Sequence, residues 1–195
     1  EEQQVLLNDS GLEHQLADWQ PTVVMFDRFM LEEQFGWRVA KVCPQALRLL
    51  DTEDLHFLRQ ARHQAFKAGR PVSVEDLLGE TAQREVAAIY RCDLSLIISE
   101  TELQLLQHQF SLPAALLHYC PFWFEQFPTE LTDFDARRHL VFIGNFRHEP
   151  NWQAVLWLKR LWPQLRQRLP QVELHIYGAY PPPKASQLHA PKQGF

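Results

Sequence analysis

Short apolar runs alternate along this chain with longer stretches of helical pattern, and that alternation limits the possible folds more than any other feature. Residues 22–26, 46–50, 94–98 and 115–119 read as strands, and the first two stop on Asp27 and Asp51. Between them, residues 28–42 hold good helix formers closed by Pro44. Residues 54–68 place Leu55, Leu58, Ala61, Arg62 and Ala65 on one helical face before Gly69, Arg70 and Pro71 end the pattern. A helical region then reaches about Arg91 with an interruption near Gly79, opened by the N-cap signal of Ser73 and Asp76 with Val72 and Leu77 as its staple. Ser99 and Glu102 form a capping box for a helix through Phe110, and an amphipathic patch lies earlier, at residues 12–19. Residues 140–143 and 172–177 read as two further strands around a helix that begins near Pro150, with Val155, Leu158, Trp162, Leu165 and Leu169 on its apolar face. Pro163 predicts a kink or split in that helix, and the loop opened by residues 181–183 holds no further element. Strands alternating with helices are βαβ units, so the expected fold is α/β with parallel sheets, four strands in a first part and two in a second.

Charge divides the chain at nearly the same place. Residues 1–136 carry 10 Lys/Arg against 22 Asp/Glu, a balance of −12, whereas residues 137–195 carry 9 against 2, a balance of +7. A chain acidic overall is a poor nucleic-acid binder, while a basic second part suits a small anionic ligand. Residues 121–138, with Phe122, Trp123, Phe124 and Phe127 and no steady period, read as a linker pinned by its aromatics. The expected organisation is a first domain at 1–120, that linker, and a second domain from 139 to 195. Cys43, Cys92 and Cys120 form no CxxC pair and read as core thiols of a reducing, cytoplasmic compartment. No run is long and apolar enough to span a bilayer.

In open parallel sheets ligands bind beyond the carboxyl ends of the strands. The chain puts Asp27 and Arg28, then Asp51, Glu53, Asp54 and His56, then Ser99 and Glu100, at those ends in its first part. In its second part it puts Gly144, Asn145 and Arg147, then Gly178 and Tyr180. Residues 50–56, LDTEDLH, set three carboxylates and a histidine just past a buried strand, enough to bind sugar hydroxyls or act as a general base; helix capping by Asp54 beside a surface His56 accounts for them equally well. Gly144 either makes an ordinary βα turn or opens a phosphate crevice at a helix start, and Arg147 is either a diphosphate contact or a solvated loop arginine. The patterns GxGxxG, GxxxxGK[ST], HExxH and GxSxG do not occur, and no metal-ligand motif is read from the spacing.

The segments FDRFMLEEQFGWRV (26–39), LRLLDTEDLHFLRQAR (47–62), IYRCDLSLIISETE (89–102), FIGNFRHEPNWQAVLWLKRLWP (142–163) and LHIYGAYPP (174–182) together resemble a bacterial glycosyltransferase of the GT-B fold, similar to the family-4-like group. The resemblance implies two Rossmann-like domains facing across a cleft, the first for a glycan, lipid or protein acceptor and the second for a nucleotide-diphosphate sugar, with no cofactor beyond that donor. It assigns Asp51 and His56 to catalysis, Asp27, Arg28 and Asp54 to the acceptor, and Gly144, Asn145, Arg147 and Gly178 to the donor. It also implies that both domains are incomplete here, the first lacking its opening and the second its later donor-binding part, so that the piece alone is inactive. Self-association and peripheral membrane attachment of the whole protein stay open, as do a nucleotide-sugar epimerase of the same fold and a non-catalytic binding remnant.

Overall fold

Within the residues that the computed structural model describes, Val5, 11–123 and 130–195, the apolar runs become strands and the patterned stretches become helices. The chain divides into two units, Glu1–Glu125 and Gln126–Phe195, with the division inside the segment read as a linker. In that segment Phe122 and Trp123 are exposed rather than buried as anchors, and Phe124 and Phe127 lie outside the described residues. Among the described residues no helix is long and apolar enough to cross a membrane.

The first unit runs α1 (Gly11–Trp19), β1 (Val23–Asp27), α2 (Arg28–Val42), β2 (Leu47–Asp51), α3 (His56–Lys67), α4 (Glu80–Arg91), β3 (Leu94–Ile97), α5 (Glu100–His108) and β4 (Leu117–Tyr119). The four strands are parallel and adjacent in chain order. Right-handed crossovers between strands added in one direction place the connecting helices on a single face. Burial agrees, because Phe26, Leu50, Ser95 and Leu117 stand side by side in register and all are buried. On the opposite face Met25 is 60% and Leu47 54% exposed. The region read as interrupted near Gly79 is a short turn at Glu75–Leu77 followed by α4, with Gly79 at its N-cap. Asp76 accepts from the Ser73 N–H and hydroxyl at 2.8 and 3.2 Å, so that pair ties the turn without starting a helix there. Cys43 and Cys92 are buried, Cys120 is half-buried, and burial pushes the Cys92 thiol up to about 12.

The second unit pairs β5 (Leu140–Asn145) with β6 (Leu174–Ala179) in parallel, joined by α6 (Glu149–Arg168). Contrary to the expected break, α6 runs unsplit through Pro163. One lost donor is outweighed by packing on either side of it, for Val155 and Trp162 are buried before it, Leu165 packs against the same core after it, and the Trp162 indole donates to the Gln193 oxygen at 2.7 Å. The tail is also more ordered than a plain loop. Short 3₁₀ turns at Ala185–Leu188 and Pro191–Gln193 bring it back, the Leu174 N–H donates to Gly194 O at 2.8 Å, and Phe195 joins Val155, Trp162 and Leu174 in the core.

Candidate functional site

The candidate cluster of the first unit is built at the start of α3. Helix N-termini leave backbone N–H groups without partners, and a carboxylate is the best acceptor for them. Here it comes from another element: Glu85 of α4, almost wholly buried, accepts from the His56 N–H and the Phe57 N–H, each at 2.9 Å. The expected alternative, capping by Asp54 with His56 on the surface, is therefore not what forms. Leu55 occupies the N-cap position, and Asp54 instead pairs with Arg59 at 3.0 Å. His56 is half-buried, its ring edge-on to Phe29 at 5.5 Å. Its Nδ1 is 3.2 Å from the Asp54 carbonyl oxygen, 3.4 Å from Glu85 Oε1 and 3.7 Å from Asp54 Oδ1. Three oxygens around one nitrogen assign the proton to Nδ1 and leave Nε2 with the free lone pair. The hydrogen bond to Glu85 holds the imidazole pKa above its ordinary value, against the opposing effect of burial.

Glu102 completes the buried acidic group. Only half of the expected capping box forms: Ser99 Oγ accepts the Glu102 N–H at 3.4 Å, but the Glu102 carboxylate turns inward. Its Oε2 has no hydrogen-bond partner among the described residues, and burial, aided by the Asp54 charge, pushes its pKa up. Asp27 and Asp51 are paired neighbours across β1 and β2. Asp27 holds Arg28 through two hydrogen bonds of 2.9 and 2.8 Å, and Asp51 Oδ1 accepts the Glu53 N–H at 3.1 Å. Asp51 thus shapes its own turn rather than reaching His56. Arg28 and Glu53 both adopt left-handed backbone, φ 67° and 55°, just past the two strand ends, a conformation that costs about 1–3 kcal/mol and gathers at functional sites.

In the second unit Gly144 and Gly178 lie side by side in register at the ends of β5 and β6. A Cβ on Gly178 would collide with the Gly144 carbonyl oxygen and the Phe146 ring, and one on Gly144 would come within 3.0 Å of the Asn151 amide. Gly178 therefore serves the approach of the two strands to each other, and Gly144 the approach of the Asn151 side chain. Gly144 also lies inside the strand rather than after it. The Leu140 and Phe146 N–H groups donate to the Glu173 and Ala179 oxygens, and by alternation the Gly144 N–H joins the same row. Asn145 Oδ1 accepts the Arg147 N–H at 3.0 Å, while the Asn145 carbonyl accepts from the Asn151 amide at 3.0 Å. Of the expected cradle of Gly144 and Asn145 N–H groups, the Gly144 N–H is accordingly taken by the ladder, and Arg147 supplies the cation at this strand end. Its guanidinium stacks on the Tyr180 ring at 3.7 Å, which fixes the plane of its donors, and Tyr180 is itself left-handed at φ 57°. Alongside lies a cavity of about 420 Å³ with apolar walls that include Phe146, Trp152, Ile176 and Leu188.

Glu85 and Glu102 are the members that sequence reasoning did not select as functional. A signal for Glu85 was present, because it sits among Ala82, Ala88 and Ile89 on the buried face of α4, where an acid is out of place without a polar partner. The chain matches no protein-family model, no curated protein and no solved structure.

Proposed function

We propose that this chain is part of a GT-B-type glycosyltransferase that moves a sugar from a nucleotide diphosphate to an acceptor hydroxyl. The observation that carries the reading is His56, oriented by Asp54 and Glu85 through Nδ1 so that Nε2 can accept a proton or position an acceptor hydroxyl. The acceptor oxygen attacks the anomeric carbon, the bond from that carbon to the diphosphate oxygen breaks, and the hydroxyl proton leaves to a base. In the second unit Arg147, stacked on Tyr180, offers coplanar N–H donors to the diphosphate as its charge grows, and the apolar walls beside it suit a nucleobase. Acceptor binding would fall to Asp27, Arg28 and Asp54 and donor binding to Gly144, Asn145, Arg147 and Gly178, with Asp51 supporting the turn that carries His56. The decisive assay offers a panel of nucleotide sugars, with and without hydroxyl acceptors, to the protein that carries this sequence. Transfer that requires an acceptor supports the proposal. An epimerised sugar formed without acceptor, or binding with no turnover, overturns it in favour of an epimerase or a binding remnant.

A further inference from the structure

At the amino end of the second sheet, away from the glycine pair, His139, Glu173 and His175 gather on one face. Leu140 pairs with Leu174 and Val141 with His175, so alternation sets 139 and 141 of one strand beside 173 and 175 of the other. The ligand atoms of the three side chains lie within 4.8 Å of one another. His175 Nε2 is 3.1 Å and His139 Nδ1 3.9 Å from the same oxygen, Glu173 Oε2. The Glu173 N–H donates to His139 Nδ1 at 3.1 Å, which puts the proton of the neutral ring on Nε2 and occupies the Nδ1 lone pair on the side of Glu173. The Arg137 and Arg138 side chains donate to the main-chain oxygens of Thr132, Asp135 and Arg137.

We infer that these three side chains form a binding site for one divalent cation of the Zn²⁺ class, independent of the proposed glycosyl transfer. Two imidazoles and a carboxylate are a familiar zinc donor set, and imidazole suits zinc, copper and nickel over magnesium or calcium. Bonds of about 2.0–2.2 Å in a tetrahedron separate neighbouring donors by about 3.3–3.6 Å, between the two distances observed here. Side-chain rotation alone closes the site, because the strands are already joined by the Leu140 N–H to Glu173 O bond of 2.9 Å. The cation takes over the His139 lone pair that the Glu173 N–H now uses, and water completes the shell on the solvent side. Bound there, it clips the start of β5 to the start of β6.

Titration of the metal-free 195-residue chain with Zn²⁺ by calorimetry, and with Co²⁺ by absorption spectroscopy, tests the site. The expected result is one equivalent bound, a cobalt spectrum of nitrogen and oxygen donors without thiolate charge transfer, and selective shifts of the His139 and His175 imidazole signals on Zn²⁺ addition. Zn²⁺ should also raise the melting temperature. Glu173→Gln and His175→Ala should each weaken binding by at least roughly tenfold to a hundredfold, the loss seen even for outer ligand partners, with unchanged far-ultraviolet circular dichroism. Absence of binding, thiolate bands that place the metal on cysteine, or unchanged affinity in the His139→Ala/His175→Ala double variant would overturn the inference.

Discussion

His56 and Glu85 tie the polar interior of the first unit to pH. The hydrogen bond to Glu85 raises the histidine pKa in the folded state, so its stabilisation is complete below about pH 6.5, the ordinary unfolded value, and is lost as pH rises through the raised native one. Glu102 acts in the same sense, because burial first and the Asp54 charge next favour its protonated form, and that contribution is also lost as pH climbs through its raised value. The gap in melting temperature between the wild type and His56→Gln should therefore narrow from about pH 6 upward; a gap independent of pH would refute the coupling. Glu85→Ala strips two buried N–H groups of their acceptor and should cost about 1–3 kcal/mol in denaturant unfolding. For the proposed reaction, His56→Ala should lower turnover about a hundredfold with donor binding nearly intact. Arg147→Ala should raise the donor dissociation constant roughly tenfold to a hundredfold, the scale of one charge-assisted hydrogen bond. Normal turnover in the first variant, or normal donor affinity in the second, would remove that residue from the mechanism.

At the scale of elements, the joint between β5 and β6 is the point least able to accept change. Gly178 has no room for a Cβ because the Gly144 carbonyl oxygen occupies that space, and the obstacle is backbone that cannot rotate aside. Gly178→Ala should destabilise the second unit by about 1–3 kcal/mol, the usual cost of overpacking, followed through Trp162 fluorescence in a denaturant titration. Gly144→Ala meets only the Asn151 side chain, which can move, so its loss should be the smaller. The reverse order would mean that the Gly144–Asn151 contact, rather than strand approach, constrains the turn. In α3 the controlling group likewise comes from elsewhere, since its first turn is completed by a carboxylate 29 residues away in sequence.

Across the whole molecule, each sheet has a face that its own helices leave bare. Met25 and Leu47 are exposed on the first, and Val141 and Ile143, 67% and 78% exposed, on the second. Parallel sheets are ordinarily covered on both sides, and apolar surface left open favours association. The 195-residue chain should therefore self-associate with rising concentration in sedimentation velocity. Replacing Met25 and Leu47 together with lysine should shift the distribution toward monomer; an unchanged distribution would exclude that face as the contact.

The local sequence sufficed for the strands, the helices and their parallel class, because a two- or 3.6-residue apolar period and a Pro or Gly stop act within one element. It located α2 at Arg28–Val42 to the residue and put the polar groups at the strand ends. The split it allowed in α6 does not form, because packing of Trp162 and Leu165 carries the helix across Pro163, and it missed the turns of the tail, where Phe195 finds a core. It left His56 divided between surface and interior. Only the packing of α4 beside α3 decided that question, by bringing the Glu85 carboxylate to the His56 N–H, and only the strand register brought His139 to Glu173 and His175. Hydrogen bonds and ion clusters of this kind depend on distances between elements far apart in the chain, and no local period carries that information.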